Sequence, residues 1–158
     1  MRRVALAVVG SCVVAAAVIG VGSTANAADN RRISGDYAFT ATRLCADPIH
    51  VEGTYDEMMH TYYDANGDAI RLSFTGTVTV KYTDLVSHNT FSPNSSGPGT
   101  TDLATGQTIV RGSNGTIFTD DGVLATNGRI VFDANGNIIS ITGKQTGVCE
   151  ALGTTDAP

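Results

Sequence analysis

The chain has 158 residues, 15 acidic against 10 basic side chains, a net charge of −5 and no tryptophan. That acidic balance, with no basic run to override it, argues against nucleic acid or an anionic membrane surface as a partner. The length suits one domain with one core once an N-terminal segment is set aside.

Residues 1–27 read as a signal peptide. Arg2 and Arg3 form a basic start, 4–21 is apolar apart from Ser11, Cys12 and glycines, and Ala25-Asn26-Ala27 has the form of a cleavage site. An uncleaved anchor is the alternative. The clean cleavage site and the lack of a later apolar run weigh against it. The expected protein is therefore secreted, with no membrane association after cleavage. It comprises a folded domain over 28–152 and a flexible tail over 153–158. Two cysteines remain after export, Cys45 and Cys149, near the two ends of the domain. An oxidising compartment makes them a disulfide. Closing so long a loop stabilises by roughly 4–5 kcal/mol in the chain-entropy model. Their separation lacks metal-site spacing, and no Cys-His motif accompanies them.

Helical periodicity is almost absent. Strand-like runs recur over 35–44, 49–63, 69–82, 89–91, 107–111, 116–119, 122–126, 129–133 and 138–144, with Gly, Asn and Asp between them. The expected fold is all-β: an antiparallel meander closed as a β-barrel of about eight strands. The segment 92–101, rich in Ser, Pro and Gly, interrupts the pattern and reads as a mobile binding loop or a tolerated surface insertion.

The tetrapeptide Asp-Ala-Asn-Gly occurs twice, at 64–67 and 133–136, each time between two strands. A two-residue Asn-Gly turn is expected at both. In the first hairpin it pairs Ala65 with Asp68, Tyr63 with Ile70, Met59 with Phe74 and Tyr55 with Val78. It also pairs Glu52 with Lys81 and Tyr62 with Arg71 on the opposite face. A three-residue loop with a glycine bulge would shift this by one and bury Glu52, Asp56, His50 and His60, so the two-residue turn is preferred. The second hairpin then pairs Phe132 with Ile139 and Ile130 with Ile141. The same motif resembles a calcium loop, but position twelve is Thr75 and strands flank it, so a plain hairpin is preferred and no metal is expected.

One carboxylate, Glu57, falls on the otherwise apolar face. If it faces inward, desolvation raises its pKa and makes it a weak candidate catalytic group or a ligand-orienting one. The favoured alternative is a bulge at Gly76 that turns it to solvent. No nucleophile elbow, zinc signature, phosphate loop or dinucleotide fingerprint is present, and no cofactor is expected.

Over 28–149 the pattern of signal peptide, terminal cysteines and runs such as Thr105-Gly106-Gln107-Thr108 and Ile130-Val131-Phe132-Asp133 resembles small uncharacterised exported proteins of actinobacteria. The resemblance implies export and a β-fold, and no activity. The functional expectation is a secreted monomer, more readily a binding protein than an enzyme. It would take a small, partly apolar ligand between Tyr55, Glu57, Met59, Tyr63 and Phe74. The rivals are an isomerase or cyclase acting inside the barrel, and an interaction or inhibitor module using 92–101.

Overall fold

The computed structural model describes residues 29–119 and 122–157. The expected signal peptide, and part of a turn expected at 120–122, lie outside them. The described chain forms β1 (Asp29–Ala41), β2 (Ile49–Tyr63), β3 (Ala69–Asp84), β4 (Thr90–Phe91), β5 (Gly99–Asp102), β6 (Thr108–Thr119), β7 (Gly122–Phe132), β8 (Ile138–Gly147) and a short helix α1 (Val148–Leu152). Every pairing is antiparallel, in a single sheet of eight strands ordered β1-β2-β3-β5-β6-β7-β8, with β4 also on β3. The antiparallel all-β class is as the strand pattern implied, but the expected runs 107–111 and 116–119 are one strand, β6, and 122–126 and 129–133 are one strand, β7. The expected closure into a barrel is not seen: among the described residues no pairing joins β1 to β8. An alternating pattern makes strands but does not dictate that the last one meets the first.

The core gathers at one end of the sheet. Ile49 and Val51 of β2, Val80 and Tyr82 of β3, Val123 and Ala125 of β7, and Val148, Cys149 and Leu152 of α1 form one buried cluster, flanked by Phe39, Leu44 and Phe91. Cys45 and Cys149 form the expected disulfide there. Helix α1 plugs this end, and Gly153 ends it in the left-handed region (φ +82°). The residues after it, expected to form a flexible tail, hydrogen-bond back beside Cys45: Ala46 N donates to Thr155 O at 2.8 Å and Ala157 N to Leu44 O at 3.3 Å.

Both repeated tips form three-residue loops rather than the expected two-residue turns. Asp64 N donates to Asp68 O and Gly67 N to Asp64 O, with Gly67 at φ +88°. The second copy repeats this at Asp133, Asn137 and Gly136 (φ +81°). Such a loop shifts the pairing by one, so Tyr63 faces Ala69 and Phe132 faces Ile138. A β-bulge follows at once in each hairpin and shifts it back. From Tyr62–Arg71 and Val131–Ser140 onward the register is the expected one, including Met59–Phe74, Tyr55–Val78, Glu52–Lys81 and Ile130–Ile141. The bulged residues are Ile70 and Ile139, which stand 48 % and 57 % exposed rather than facing Tyr63 and Phe132.

A second repeat emerges only in the structure. Thr83-Asp84-Leu85-Val86-Ser87-His88-Asn89-Thr90 joins β3 to β4, and Thr101-Asp102-Leu103-Ala104-Thr105-Gly106-Gln107-Thr108 joins β5 to β6. In each, the Asp Oδ1 accepts the backbone N–H groups two and three residues on. The sixth residue of each stretch, His88 or Gly106, is left-handed.

The 92–101 segment, expected as a loop, runs alongside β3, joined to it through Asn94 and, from Gly99, as β5, with 95–98 between them outside any strand. It keeps one register along β3 from Thr83–Thr90 through Thr79–Asn94 to Arg71–Asp102. Pro93 and Pro98 have no N–H for a ladder. Between them, Ser96 Oγ takes the N–H of Val78 (3.0 Å) and donates to its carbonyl (3.1 Å).

Candidate functional site

On β2 and β3 the two faces separate as the sequence implied, and β1 continues them. The outer face carries polar cross-strand pairs: Lys81–Glu52 at 2.9 Å, Arg32 with both oxygens of Asp56, Arg71 over the Tyr62 ring at 4.1 Å, and Thr54–Thr79 at 2.8 Å. His50 and His60 lie on this face too, ten residues apart on β2, and His60 bonds Asn30 at 2.5 Å. Lys81 and Arg32 hold Glu52 and Asp56 below the usual carboxylate range, chiefly by hydrogen bonding. These groups are satisfied in pairs and do not converge on a common point.

The inner face carries Tyr55, Glu57, Met59 and Tyr63 on β2, with Ile33 and Gly76 beside Glu57. The bulge favoured at Gly76 is not there. The ladder runs straight from Tyr62–Arg71 to Ile49–Asp84, so Glu57 keeps its inward orientation. Gly76 is demanded instead by close approach. A Cβ there would lie 2.3 Å from the Asp56 carbonyl oxygen and 2.5 Å from Glu57 Cα. Glu57 is half-buried, and among the described residues no hydrogen bond or ion pair reaches its carboxylate. Desolvation alone raises its pKa above the ordinary glutamate value. Arg31, two positions from Ile33 on the same face, forms no ion pair with it.

Of the expected ligand residues, Met59 faces Phe74 directly across β2 and β3, one step along the face from Glu57. Tyr55 lies one step the other way, with its ring over Gly35: a Cβ on Gly35 would lie 2.6 Å from the Tyr55 hydroxyl. Tyr37 and Gly53 repeat this in mirror fashion, a Cβ on Gly53 falling 2.5 Å from the Tyr37 ring. The two Tyr-over-Gly pairs, Gly35–Tyr55 and Tyr37–Gly53, are adjacent across β1 and β2. Tyr63 is not brought in. Six residues separate it from Glu57, about 20 Å along a strand. Ile33 and Gly35 are the members that sequence reasoning missed, because β1 had no turn motif to fix its register against β2.

A surface hollow of ≈ 430 Å³ lies elsewhere, against Tyr37, Gly53, Glu52, Lys81 and Ser92, and none of the five expected ligand residues lines it. Asp64 Oδ1 accepts the N–H groups of Asn66 and Asp68 at 2.8 and 2.9 Å, and Asp133 Oδ1 those of Asn135 and Asn137, both at 2.8 Å. These carboxylates, which would lead any calcium loop, cap their own turns. Among the described residues no group of three or more His, Cys, Asp or Glu could hold a metal ion, and no helix is long and apolar enough to cross a membrane. Family models, curated proteins and solved structures were all compared with this chain, and none matches.

Proposed function

We propose that this is an exported binding protein that takes a small, partly apolar ligand on the inner face of its sheet, with Glu57 as the polar anchor. Export rests on the signal-like start of the sequence and on the disulfide, which persists in oxidising compartments. The observation that carries the ligand reading is Glu57 itself. It is a half-buried carboxylate without a partner, flanked by Tyr55, Met59, Phe74 and Ile33. Such a group costs stability unless something supplies a donor or a positive charge. A ligand with an amine or hydroxyl at one end and an apolar body fits that need. The reading does not depend on barrel closure, since the face exists on the open sheet.

Catalysis is a weaker reading. An isomerase or cyclase would need a second proton carrier within reach of Glu57. The Tyr55 phenol leans across to Gly35 and forms no hydrogen bond with Glu57. An interaction module built on 92–101 is weaker too, because that segment is engaged along β3.

Native mass spectrometry of the protein secreted by its own host tests the proposal, with Glu57→Gln as the paired variant. A co-purifying small molecule that is lost in Glu57→Gln, with the fold intact, is the expected result. A Glu57 carboxylate that titrates by NMR in the ordinary range, in a protein that carries nothing, would sink it.

A further inference from the structure

The two free edges of the sheet are built differently. β8 is broken near its start by the bulge at Ile139, then by Gly143 at φ +106°, and Lys144 follows. A bulge, a left-handed glycine and a lysine each hinder the addition of another strand. β1 has none of them. Its 13 residues pair with β2 in one unbroken register, it contains no proline or lysine, and among the described residues its backbone lies against β2 alone, with Phe39 and Ala41 packed on the core. One side of this long strand therefore presents backbone N–H and C=O groups with no partner in the sheet.

We propose that the free edge of β1 pairs with the same edge of a second copy of this chain, antiparallel and about a two-fold axis at Ser34. Symmetry and charge choose that register together. A two-fold perpendicular to the sheet keeps each residue on its own face, so residues facing each other across the edge must be separated by an even number of positions. Four charges lie on β1: Asp29, Arg31, Arg32 and Asp36. Only two opposite-charge pairings satisfy the rule. Asp29 facing Arg31 would overlap a few residues at the start of the strand. Arg32 facing Asp36 centres the pairing on Ser34 and aligns 29–39 with 39–29.

That register places Arg32 of each copy against Asp36 of the other, twice over, on the outer face. On the inner face it sets Arg31 against Tyr37 and Ile33 against Gly35, and it opposes no like charges. The groups concerned are ready for it. Arg32 gives Nε and Nη2 to Asp56 and keeps Nη1, while Asp36 has no ion-pair partner among the described residues. Tyr37, whose ring lies over Gly53 of β2, remains 37 % exposed. The result is a continuous sheet across two copies, instead of the monomer expected from the sequence, and it is independent of the ligand reading.

Sedimentation velocity across a dilution series tests it. The wild-type protein is expected to show twice the chain mass when concentrated and to dissociate on dilution. Asp36→Arg puts two pairs of like charges across the edge and should weaken association roughly tenfold or more. Arg32→Asp should do the same. An equimolar mixture of the two variants restores opposite charges at both positions and should recover the dimer, which a merely misfolded variant could not do. Glu57→Gln should associate as wild type. A single chain mass at every concentration, or an Asp36→Arg variant that associates as tightly as wild type, overturns the proposal.

Discussion

At the end of the sheet that carries Cys45 and Cys149, Ile49, Tyr82, Val148 and Leu152 are at most 1 % exposed. At the opposite end, along the same strands and the same face, Tyr55, Glu57, Met59, Leu72 and Phe74 are only half-buried. The alternation is equally regular at both ends, so what differs is the cover. Helix α1, the disulfide and the end of the chain lie over one end, while the other has the two Asp-Ala-Asn-Gly tips and no plug. The twin Thr-Asp-Leu turns show the same contrast in one motif. At the plugged end Asp84 is 1 % exposed, its turn is bonded to Pro48 O through Leu85 N, and Asn89 Nδ2 reaches Leu152 O at 2.9 Å. At the other end Asp102 caps the same turn in solvent. One end of this molecule is committed to stability. On β2 and β3 the other end keeps apolar surface and the Glu57 carboxylate available, although Ile130 and Val131 of β7 are buried at the same level.

The strongest way to break this contrast is to remove the plug's anchor. Replacing Cys45 and Cys149 by alanine should cost roughly 4–5 kcal/mol, since 104 residues separate them. Urea unfolding should show it, with protection from amide exchange lost first in α1. Next, Leu152→Ala should cost about 2–5 kcal/mol and Phe74→Ala clearly less, because only Leu152 leaves a closed cavity. Equal losses in thermal melts would mean the distal face is as closed as the core. Third, Gly76→Ala should cost roughly 1–3 kcal/mol by forcing β2 and β3 apart beside Glu57. The comparison with Gly67→Ala, where space is open but φ is +88°, separates crowding from backbone strain, the latter costing about 1–2 kcal/mol.

A smaller effect, of opposite sign, is expected at the turn capped by Asp84. His88 holds a left-handed conformation (φ +61°) where its twin has Gly106, so His88→Gly should stabilise by up to about 1 kcal/mol in chemical unfolding. The smallest effect is the dependence on pH. Glu57 has a raised pKa in the folded protein, so its folded form holds the proton more tightly. Stability from this group is full in acid and falls as pH rises from the ordinary glutamate range through the raised value. Glu57→Gln should therefore be slightly more stable than wild type at neutral pH, with no advantage in acid. Asp102 runs the other way. Chiefly the Thr105 N–H holds its pKa down, so its contribution is present at neutral pH and fades in acid below the usual aspartate range. Thermal melts of Glu57→Gln and Asp102→Asn across pH should diverge in these two directions.

The register of the first hairpin was legible because burial penalties are large. No pairing that buries Glu52, Asp56, His50 and His60 survives them, and Glu52–Lys81 and Tyr62–Arg71 followed. The loop that delivers that register was not legible. A two-residue turn, and a three-residue loop followed by a bulge, place every later residue on the same face. Only the fate of Ile70 and Ile139 differs, and a single exposed isoleucine is too small a cost for composition to reveal. The Thr-Asp-Leu repeat is hidden because Val86 stands for Ala104, Ser87 for Thr105 and His88 for Gly106; its signal is an Asp three residues before Ser87 or Thr105, the spacing of a side-chain-capped turn. The same limit applied to Glu57. Whether Gly76 sat in a bulge or a straight ladder depended on how closely β2 and β3 approach, and a glycine is compatible with either.

By itself the sequence determined the antiparallel all-β class, the cysteine partners, the polar outer face of β2 and β3, and Glu57 as the carboxylate to watch. These follow from local alternation and from the cost of burying charge, which nearest neighbours already fix. Tertiary structure alone decided that the sheet stays open between β1 and β8, that α1 covers one end and not the other, and that 92–101 lies along β3. Those outcomes depend on the twist accumulated over many strands and on contacts between residues far apart in the chain, and no local pattern encodes either.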